Sequence, residues 1–243
     1  MDKADEYKRL QDIAGRSLYA EELYLKTLPY CFSIFKRFMR GDSILEMGPA
    51  EGHMTDLLVN CGMDLHVVEA SEVFCRSIQE RHPQATVVTS LFETYEPGRR
   101  FDNIILGHVL EHVEEPVDLL ARIREWLTPE GRIIAAVPNS RSLHRQAGVA
   151  MGMLPFEEAL NDLDLHHGHR RVYNPETFRR DFLAAGLDIE AYGGYFLKPI
   201  SNGQIAKSWT PELLDAYLQL GERYPDIAGE IYIVAGSTKN ARD

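Results

Sequence analysis

The chain has 243 residues, of which 44% are hydrophobic and 26% are charged, and its formal net charge is −11 at pH 7. The length allows one large α/β domain, or a domain with a cap, around a sizeable buried core. The acidic balance argues against a general nucleic-acid binder, because such binding depends on Lys and Arg side chains that release counterions.

The cysteine pattern and the first residues predict a cytoplasmic protein. Cys31, Cys61 and Cys75 form no CxxC pair, which disfavours a disulfide framework or a zinc knuckle. Residues 1–6 are largely charged, and no apolar run approaches the roughly 20 residues that a membrane helix needs. We therefore expect no signal peptide, no membrane partner and no nucleic-acid partner, and a homodimer is left open.

The predicted elements begin with a helical region over residues 5–39, where apolar side chains recur at helical spacing. Pro29 is expected to split this region into two helices, because proline removes a backbone donor and clashes with the preceding turn. Gly41 is expected to end it. We interpret residues 1–40 as an N-terminal helical cap.

Strands and helices then alternate along the chain. The predicted strands are residues 43–47, 65–69, 86–89, 101–106 and 132–137, and the predicted helices are residues 55–60, 73–81 and 116–127. This alternation predicts βαβ units and a mainly parallel sheet. The strands are apolar on both faces, as a sheet with helices on both sides requires.

The alternation breaks at residues 139–172, which mix Arg, His, Met and acidic residues without a clean period. After the break, the pattern predicts helices over residues 175–185 and 211–220 and strands over residues 187–196 and 230–235. We interpret residues 41–243 as one Rossmann-like domain, in which the stretch at about 139–172 is an insertion that forms a lid over the substrate.

A glycine-containing loop, EMGPAEGH at residues 46–53, separates the first strand from the next helix. Gly48 permits a sharp turn and a close approach of ligand to backbone, and Gly52 permits the helix to start near that ligand. Glu69 ends the second strand, 21 residues after Gly48. A carboxylate at this spacing can accept hydrogen bonds from two ribose hydroxyls, so the pattern predicts a nucleoside site.

The charge of the loop indicates which nucleoside it holds. A dinucleotide fingerprint needs glycines at its first, third and sixth positions, but these positions hold Gly48, Ala50 and His53. No Lys or Arg occurs in residues 42–75, and Glu46 adds negative charge. S-adenosylmethionine has no phosphate and carries a sulfonium and an ammonium group, which suit carboxylates. An NAD(P)-binding oxidoreductase stays open as the alternative.

Four stretches together resemble the class I S-adenosylmethionine-dependent methyltransferases. They are ILEMGPAEGHMTDLL, VVEAS, FDNIILGHVLEHVEEPVDLLARIREWLTPEGRIIAAVPNS and GHRRVYNPETFRRDFLAAGLDI. The third and fourth resemble the subgroup that includes ubiquinone-pathway, sugar and natural-product methyltransferases. The resemblance covers roughly residues 41–190.

The resemblance implies a Rossmann-like seven-stranded sheet, mostly parallel, with helices on both faces and an antiparallel last strand. It implies S-adenosyl-L-methionine as cofactor and S-adenosyl-L-homocysteine as product. The loop at residues 46–52 would surround the methionyl part, Glu69 would hold the ribose, and residues 90–92 would lie near the adenine. The cofactor-binding residues that it implies are Glu46, Gly48, Ala50, Gly52, Glu69, Ala70, Ser90, Leu91, Phe92, Gly107 and His108.

Histidines supply the candidate proton acceptors, because a hydroxyl or ammonium nucleophile must lose a proton to a group that titrates near neutral pH. His108 follows the fourth strand and faces the expected donor, and His169 lies in the GHRRVY stretch next to the expected site. We predict these two as candidate bases and His112 as a packing residue. The acidic and histidine residues of 162–169 could form a metal site, supply the base or make a polar lid. Their spacing matches no specific metal pattern, so no metal is predicted.

The leading hypothesis is a methyltransferase that acts on an O, N or C nucleophile of a small molecule. A sugar, a lipid-like compound or a secondary metabolite is favoured as acceptor by analogy only. Residues 139–172 and 198–204 are expected to select it. A donor-binding regulatory protein without catalytic activity is a further alternative.

Overall fold

A seven-stranded sheet forms the centre of the structure, a computed structural model that describes residue 7 and residues 22–237. The strands are β1 (Ser43–Met47), β2 (Asp64–Glu69), β3 (Thr86–Thr89), β4 (Phe101–Gly107), β5 (Leu127–Pro138), β6 (Leu187–Tyr195) and β7 (Glu230–Ser237). Their order across the sheet is β3-β2-β1-β4-β5-β7-β6.

The pairing of the strands confirms the predicted α/β fold. β1 pairs in parallel with β2 and β4, and β3 and β5 extend the parallel ladder on either side. β7 runs antiparallel to both β5 and β6, between which it lies. The chain order reverses between β1 and β4, and a crevice at the carboxyl ends of such strands is the usual ligand site in open α/β sheets.

Helices cover both faces of the sheet. They are α1 (Glu22–Phe38), α2 (His53–Leu58), α3 (Glu72–Arg81), α4 (Pro116–Arg124), α5 (Leu143–Ala150), α6 (Asp162–His167), α7 (Pro175–Ala184), α8 (Asn202–Ser208) and α9 (Pro211–Arg223). α4 and α7 pack on one face, where Leu120 and Phe178 are fully buried. α1, α2, α3, α8 and α9 pack on the other, around Phe35, Leu58 and Ile78.

The prediction that Pro29 divides the N-terminal helix is wrong, because Pro29 lies inside the continuous helix α1. Pro29 is on the exposed face of α1, while Ile34 and Phe35 are fully buried. Water can reach the carbonyl group that the proline leaves without a helical donor, and packing of the apolar face outweighs the local penalty. The predicted helical residues before α1, other than residue 7, lie outside the described residues.

Two connections contain more regular structure than the sequence pattern predicts. The insertion at residues 139–172 includes α5 and α6, and the expected loop at residues 198–204 runs into α8. β5 starts at Leu127 rather than at residue 132, with a register shift where Leu127 pairs with Phe101 and Arg132 with Asn103.

No helix among residues 22–237 is long and apolar enough to cross a bilayer.

Candidate functional site

The turn after β1 forms the floor of a cavity at the carboxyl edge of the sheet. Gly48 has a φ of 64°, and its backbone N–H donates to the carbonyl oxygen of Val68 at 2.9 Å. A Cβ atom at this position would lie 3.1 Å from the ring of Phe92. Gly48 therefore supplies both a left-handed backbone and close packing, which a side chain would disturb.

Glu69 joins this turn to the end of β2. Its Oε2 accepts the backbone N–H of Ala50 at 3.2 Å, and its Oε1 accepts the backbone N–H of Ser71 at 2.8 Å. Burial raises the pKa of Glu69, although these backbone donors oppose the shift. The two bonds orient the carboxylate, which lines the cavity. Ala50 itself has a φ of 50°, so the turn holds a non-glycine residue in a conformation that costs energy.

Glu46 is a buried carboxyl group at the other side of the turn. Its side chain lines the cavity and accepts a hydrogen bond of 2.6 Å from the Thr55 hydroxyl. Burial raises the pKa of Glu46 to about 8, against the lowering effect of the Thr55 bond. In the donor-free protein this group is therefore largely protonated at neutral pH, and a cation bound nearby would favour its ionised form.

The cavity is lined by most of the residues that the sequence predicts and by others that it does not. The predicted ones are Glu46, Gly48, Ala50, Glu69, Ala70, Leu91, Phe92, Gly107 and His108. The others are Tyr24, Met47, Pro49, Glu51, His53, Met54, Glu93, Val109, His112, Val113 and Glu114. Within the described part of the chain, no Lys or Arg lines this cavity, and five Glu residues do. This charge suits a phosphate-free cationic ligand.

Gly52 and Ser90 belong to the predicted set but do not line the cavity that the described residues form. Gly52 has a φ of 81° at the start of α2, and an added Cβ atom would lie 2.6 Å from Ile78 of α3. This glycine therefore allows α2 to approach α3. The Ser90 hydroxyl donates to the carbonyl oxygen of Leu91 at 3.0 Å, within its own turn.

His108 lines the cavity immediately after β4. Its Nδ1 lies 3.3 Å from Oε1 of Glu111, and its Nε2 lies 3.8 Å from Oε2 of Glu230. Burial disfavours the imidazolium, but the charges of Glu230 and Glu111 outweigh burial and raise the pKa of His108 to about 9. The free protein thus holds the predicted base in its protonated form at neutral pH.

Glu111 is fully buried below the cavity. Burial would raise its pKa, but the nearby imidazoles of His108, His112 and His169 lower it to about 2. Potential ligand atoms of Glu111, His112 and His169 lie within 4.8 Å of one another. The ion-pair partner of Glu111 among these imidazoles is His108, at 3.3 Å, and the absence of a metal stays a prediction.

His169, the second predicted base, lies behind His112 and does not line the cavity of the described residues. The two rings pack edge to face with centroids 4.8 Å apart, and the Nδ1 of His169 lies 3.4 Å from Asp164. Asp164 also accepts a hydrogen bond of 3.1 Å from Arg145 of α5. The predicted acidic and histidine cluster of residues 162–169 therefore connects α6 and the residues after it to α5. His112, which packs against this cluster, lines the cavity.

Tyr24 and Glu230 lie beside His108 and were not among the predicted site residues. Tyr24 of α1 lines the cavity, and its ring meets that of His108 edge to face with centroids 6.3 Å apart. The only sequence signal was a run of aromatic residues in the N-terminal helix. Glu230 begins β7, and nothing in its neighbouring residues indicates that it would lie near His108.

Comparison with known proteins gives a matching family and a similar curated protein. A family model described as a methyltransferase domain matches residues 18–192. The ubiquinone biosynthesis O-methyltransferase of Rhizobium etli is 24% identical over 173 residues, which are 68% of this chain and 68% of that protein.

Two solved structures show the same fold at low sequence identity. The CcbJ methyltransferase from Streptomyces caelestis has a TM-score of 0.61 at 15% identity, covering 88% of this chain and 96% of that one. The glycopeptide N-methyltransferase MtfA in complex with S-adenosyl-L-methionine has a TM-score of 0.58 at 13% identity, covering 86% of this chain and 93% of that one.

Proposed function

The chain belongs to the methyltransferase-domain family and is an S-adenosylmethionine-dependent methyltransferase, and from this premise we propose that it methylates a hydroxyl oxygen of a small molecule. The assignment excludes the NAD(P)-dependent oxidoreductase alternative.

The proposed donor placement follows the charges and turns of the cavity. Glu69 would accept hydrogen bonds from the ribose hydroxyls, because its two oxygens keep free lone pairs beside the bonds from Ala50 and Ser71. The methionyl part would lie along the turn after β1 near Glu46, whose carboxylate would favour the ammonium and sulfonium charges. The adenine would lie against Leu91 and Phe92.

The position of His108 is the observation that supports methylation of oxygen. Methyl transfer from a sulfonium is an in-line displacement with a neutral thioether as leaving group, so alignment and exclusion of water supply most of the rate. A hydroxyl must also lose its proton, and an imidazole at the cavity wall is suited to accept it. A neutral amine would need no such group. His169 could serve only through a displacement toward the cavity, and is the second candidate.

The acceptor is proposed to enter beside α1, whose Tyr24 lines the cavity and packs on His108. The relative from Rhizobium etli is named an O-methyltransferase of ubiquinone biosynthesis, which supports oxygen as the methylated atom. The finer acceptor class, whether a sugar, a lipid-like phenol or a natural product, stays a prediction. Regulatory donor binding without turnover is the competing function.

Turnover with an isotope-labelled methyl donor tests the proposal. The protein is incubated with S-adenosylmethionine labelled in its methyl group and with matched pairs of acceptors that differ only by a hydroxyl or an amino group. The expected result is an O-methyl signal by nuclear magnetic resonance, with His108→Asn losing at least about tenfold in rate. Methylation of amines alone, or donor binding with no product from any acceptor, contradicts the proposal.

A further inference from the structure

His108 is held by two carboxylates that reach it from separate parts of the chain. Glu111 lies in the turn after β4, and Glu230 is the first residue of β7. Because β7 runs antiparallel to β5, with Glu230 opposite Pro138, its first residue lies at the same edge as the end of β4. The sheet topology thus places an anion on each side of the imidazole.

The backbone of His108 is constrained as well. Its φ is 59°, in the left-handed region that is uncommon for non-glycine residues, and its N–H donates to the carbonyl oxygen of Ala136 at 2.9 Å. A strained residue that persists at a cavity wall indicates a role for the side chain it orients. The ring is therefore fixed between the cavity and the two carboxylates.

The surrounding elements supply further charged and titratable groups. Tyr24 of α1 packs on the ring of His108. The charges of Glu46 and Glu51, at the turn after β1, disfavour ionisation of the Tyr24 hydroxyl. The remaining groups interact electrostatically with the two carboxylates and favour their ionised forms. His112 and His169 do so for Glu111, and Lys198 and His169 do so for Glu230. In the free protein, these groups leave His108 as the cation between two anions.

The methyl donor changes this balance because it is itself a cation. The sulfonium of S-adenosylmethionine would enter the cavity that His108 lines, whereas the product S-adenosylhomocysteine has a neutral thioether. Two like charges within one cavity repel each other, so the donor disfavours a protonated imidazole and the product does not.

We propose that binding of the cationic donor drives the proton off His108, that the neutral ring then accepts the proton of the substrate hydroxyl, and that Glu111 and Glu230 are positioning residues for this cycle. The inference rests on the proposed function for the location of the sulfur and for a hydroxyl acceptor.

The cycle balances in atoms and charge. The oxygen lone pair forms a bond to the methyl carbon while the carbon–sulfur bond breaks and leaves its electron pair on sulfur. The hydroxyl proton passes to Nε2 of His108, since Nδ1 is the nitrogen nearer to the buried Glu111. The resulting imidazolium is stabilised by both carboxylates. It releases its proton to solvent when the next donor binds, so each turnover yields one proton, the methyl ether and the thioether.

Thermodynamic linkage makes the coupling measurable without an acceptor. If donor binding lowers the proton affinity of His108, then deprotonation of His108 must tighten donor binding by the same factor. The pKa of His108 in the free protein is about 9. The affinity for S-adenosylmethionine should therefore rise as pH approaches 9 and level off above it, while the affinity for S-adenosylhomocysteine should lack this component.

Calorimetry in buffers of different ionisation enthalpy tests the proposal, with a chelator present and both ligands compared at about pH 8. The expected result is release of close to one proton more with S-adenosylmethionine than with S-adenosylhomocysteine, because the ammonium group of either ligand can also displace the proton of Glu46. The His108 component should tighten donor binding by roughly 50-fold between about pH 7 and 9.5. His108→Asn should abolish the donor-specific release, and asparagine tolerates the left-handed backbone. Because the donor's own amino group titrates equally with both proteins, the difference between wild type and H108N isolates the histidine.

Glu230→Gln provides a second variant that keeps the shape of the side chain. Removal of one anion lowers the pKa of His108, so the rise in donor affinity should move to lower pH and less proton should be released at about pH 8. Equal proton release with both ligands, or an unchanged profile in H108N, overturns the proposal. Release that appears only after addition of magnesium in place of the chelator also overturns it, because Glu111 would then be a metal ligand.

These results are distinguishable from failure of the proposed function. Loss of donor coupling with intact O-methylation removes only the further inference. Methylation confined to amines removes the proposed function, whatever the calorimetry shows.

Discussion

Ala50 donates its backbone N–H to Oε2 of Glu69 at 3.2 Å, and this bond joins the turn after β1 to the end of β2. The two halves of the predicted nucleoside site are therefore one hydrogen-bonded unit. Ala50 is in the left-handed region at a φ of 50°, which points its N–H toward the carboxylate. The same carboxylate lines the cavity.

Glu69→Ala should weaken binding of S-adenosylhomocysteine by about 10- to 100-fold, because hydrogen bonds to a charged group contribute roughly 1.5–3 kcal/mol. Isothermal titration calorimetry measures the affinity directly. Glu80→Ala is the matched control, since Glu80 is exposed on α3, and it should leave the affinity unchanged. Equal affinities for Glu69→Ala and wild type would remove the carboxylate from the binding site.

Glu46→Gln should change how stability depends on pH in the donor-free protein. Burial raises the pKa of Glu46 to about 8 from its ordinary value of 4.5, so the folded state holds this proton more tightly than the unfolded state. The stability from this group is present below about pH 4.5 and is lost as pH rises toward about 8.

The glutamine variant keeps a hydrogen-bond acceptor for Thr55 and cannot ionise. Relative to wild type, it should gain roughly 2–4 kcal/mol of unfolding free energy between about pH 5 and pH 8. Urea unfolding at both pH values measures this gain. Parallel stability curves for the two proteins across that range would show that Glu46 titrates normally.

Gly52→Ala should destabilise the fold by roughly 2–4 kcal/mol, because the new Cβ atom meets Ile78 at 2.6 Å in addition to the backbone strain at a φ of 81°. Gly62 is the matched control. It has a φ of 72°, but a Cβ atom there meets no described atom within 4 Å. Gly62→Ala should therefore lose only about 1 kcal/mol. Thermal and urea unfolding compare the two, and similar losses would assign the cost at Gly52 to backbone strain alone.

Tyr24→Ala should weaken donor binding by about tenfold, since it removes the aromatic ring that covers the cavity and packs on His108. Tyr24→Phe keeps the ring and should stay within about threefold of wild type. Calorimetric titration of both variants with S-adenosylmethionine separates the contribution of the ring from that of the hydroxyl. A loss of donor affinity clearly above threefold for Tyr24→Phe would show that the hydroxyl, rather than the ring, contributes to binding.

The sequence predicted the parts of the site that depend on local pattern. Gly48 and Glu69 follow apolar strands at a spacing that a parallel sheet brings together, and both line the cavity. The strand-by-strand alternation likewise predicted the sheet, because each βαβ unit is a local feature of the chain.

Contacts between distant parts of the chain could not be predicted in this way. Glu230 reaches His108 because β7 inserts antiparallel between β5 and β6. No local sequence pattern specifies that β7 takes this position in the sheet. The pattern also assigned Gly52 to the ligand, whereas its tight contact is with Ile78 of the neighbouring helix. Pro29 was expected to break α1 because its local penalty is visible in sequence, while the compensating burial of Phe35 is not.

A crystal structure with bound S-adenosylhomocysteine would show where the donor lies. Both ribose hydroxyls should lie within hydrogen-bond distance of the Glu69 carboxylate, and the sulfur should be directed toward His108. A nucleoside whose ribose contacts neither oxygen of Glu69, or a sulfur that points away from the His108 wall, would contradict this placement.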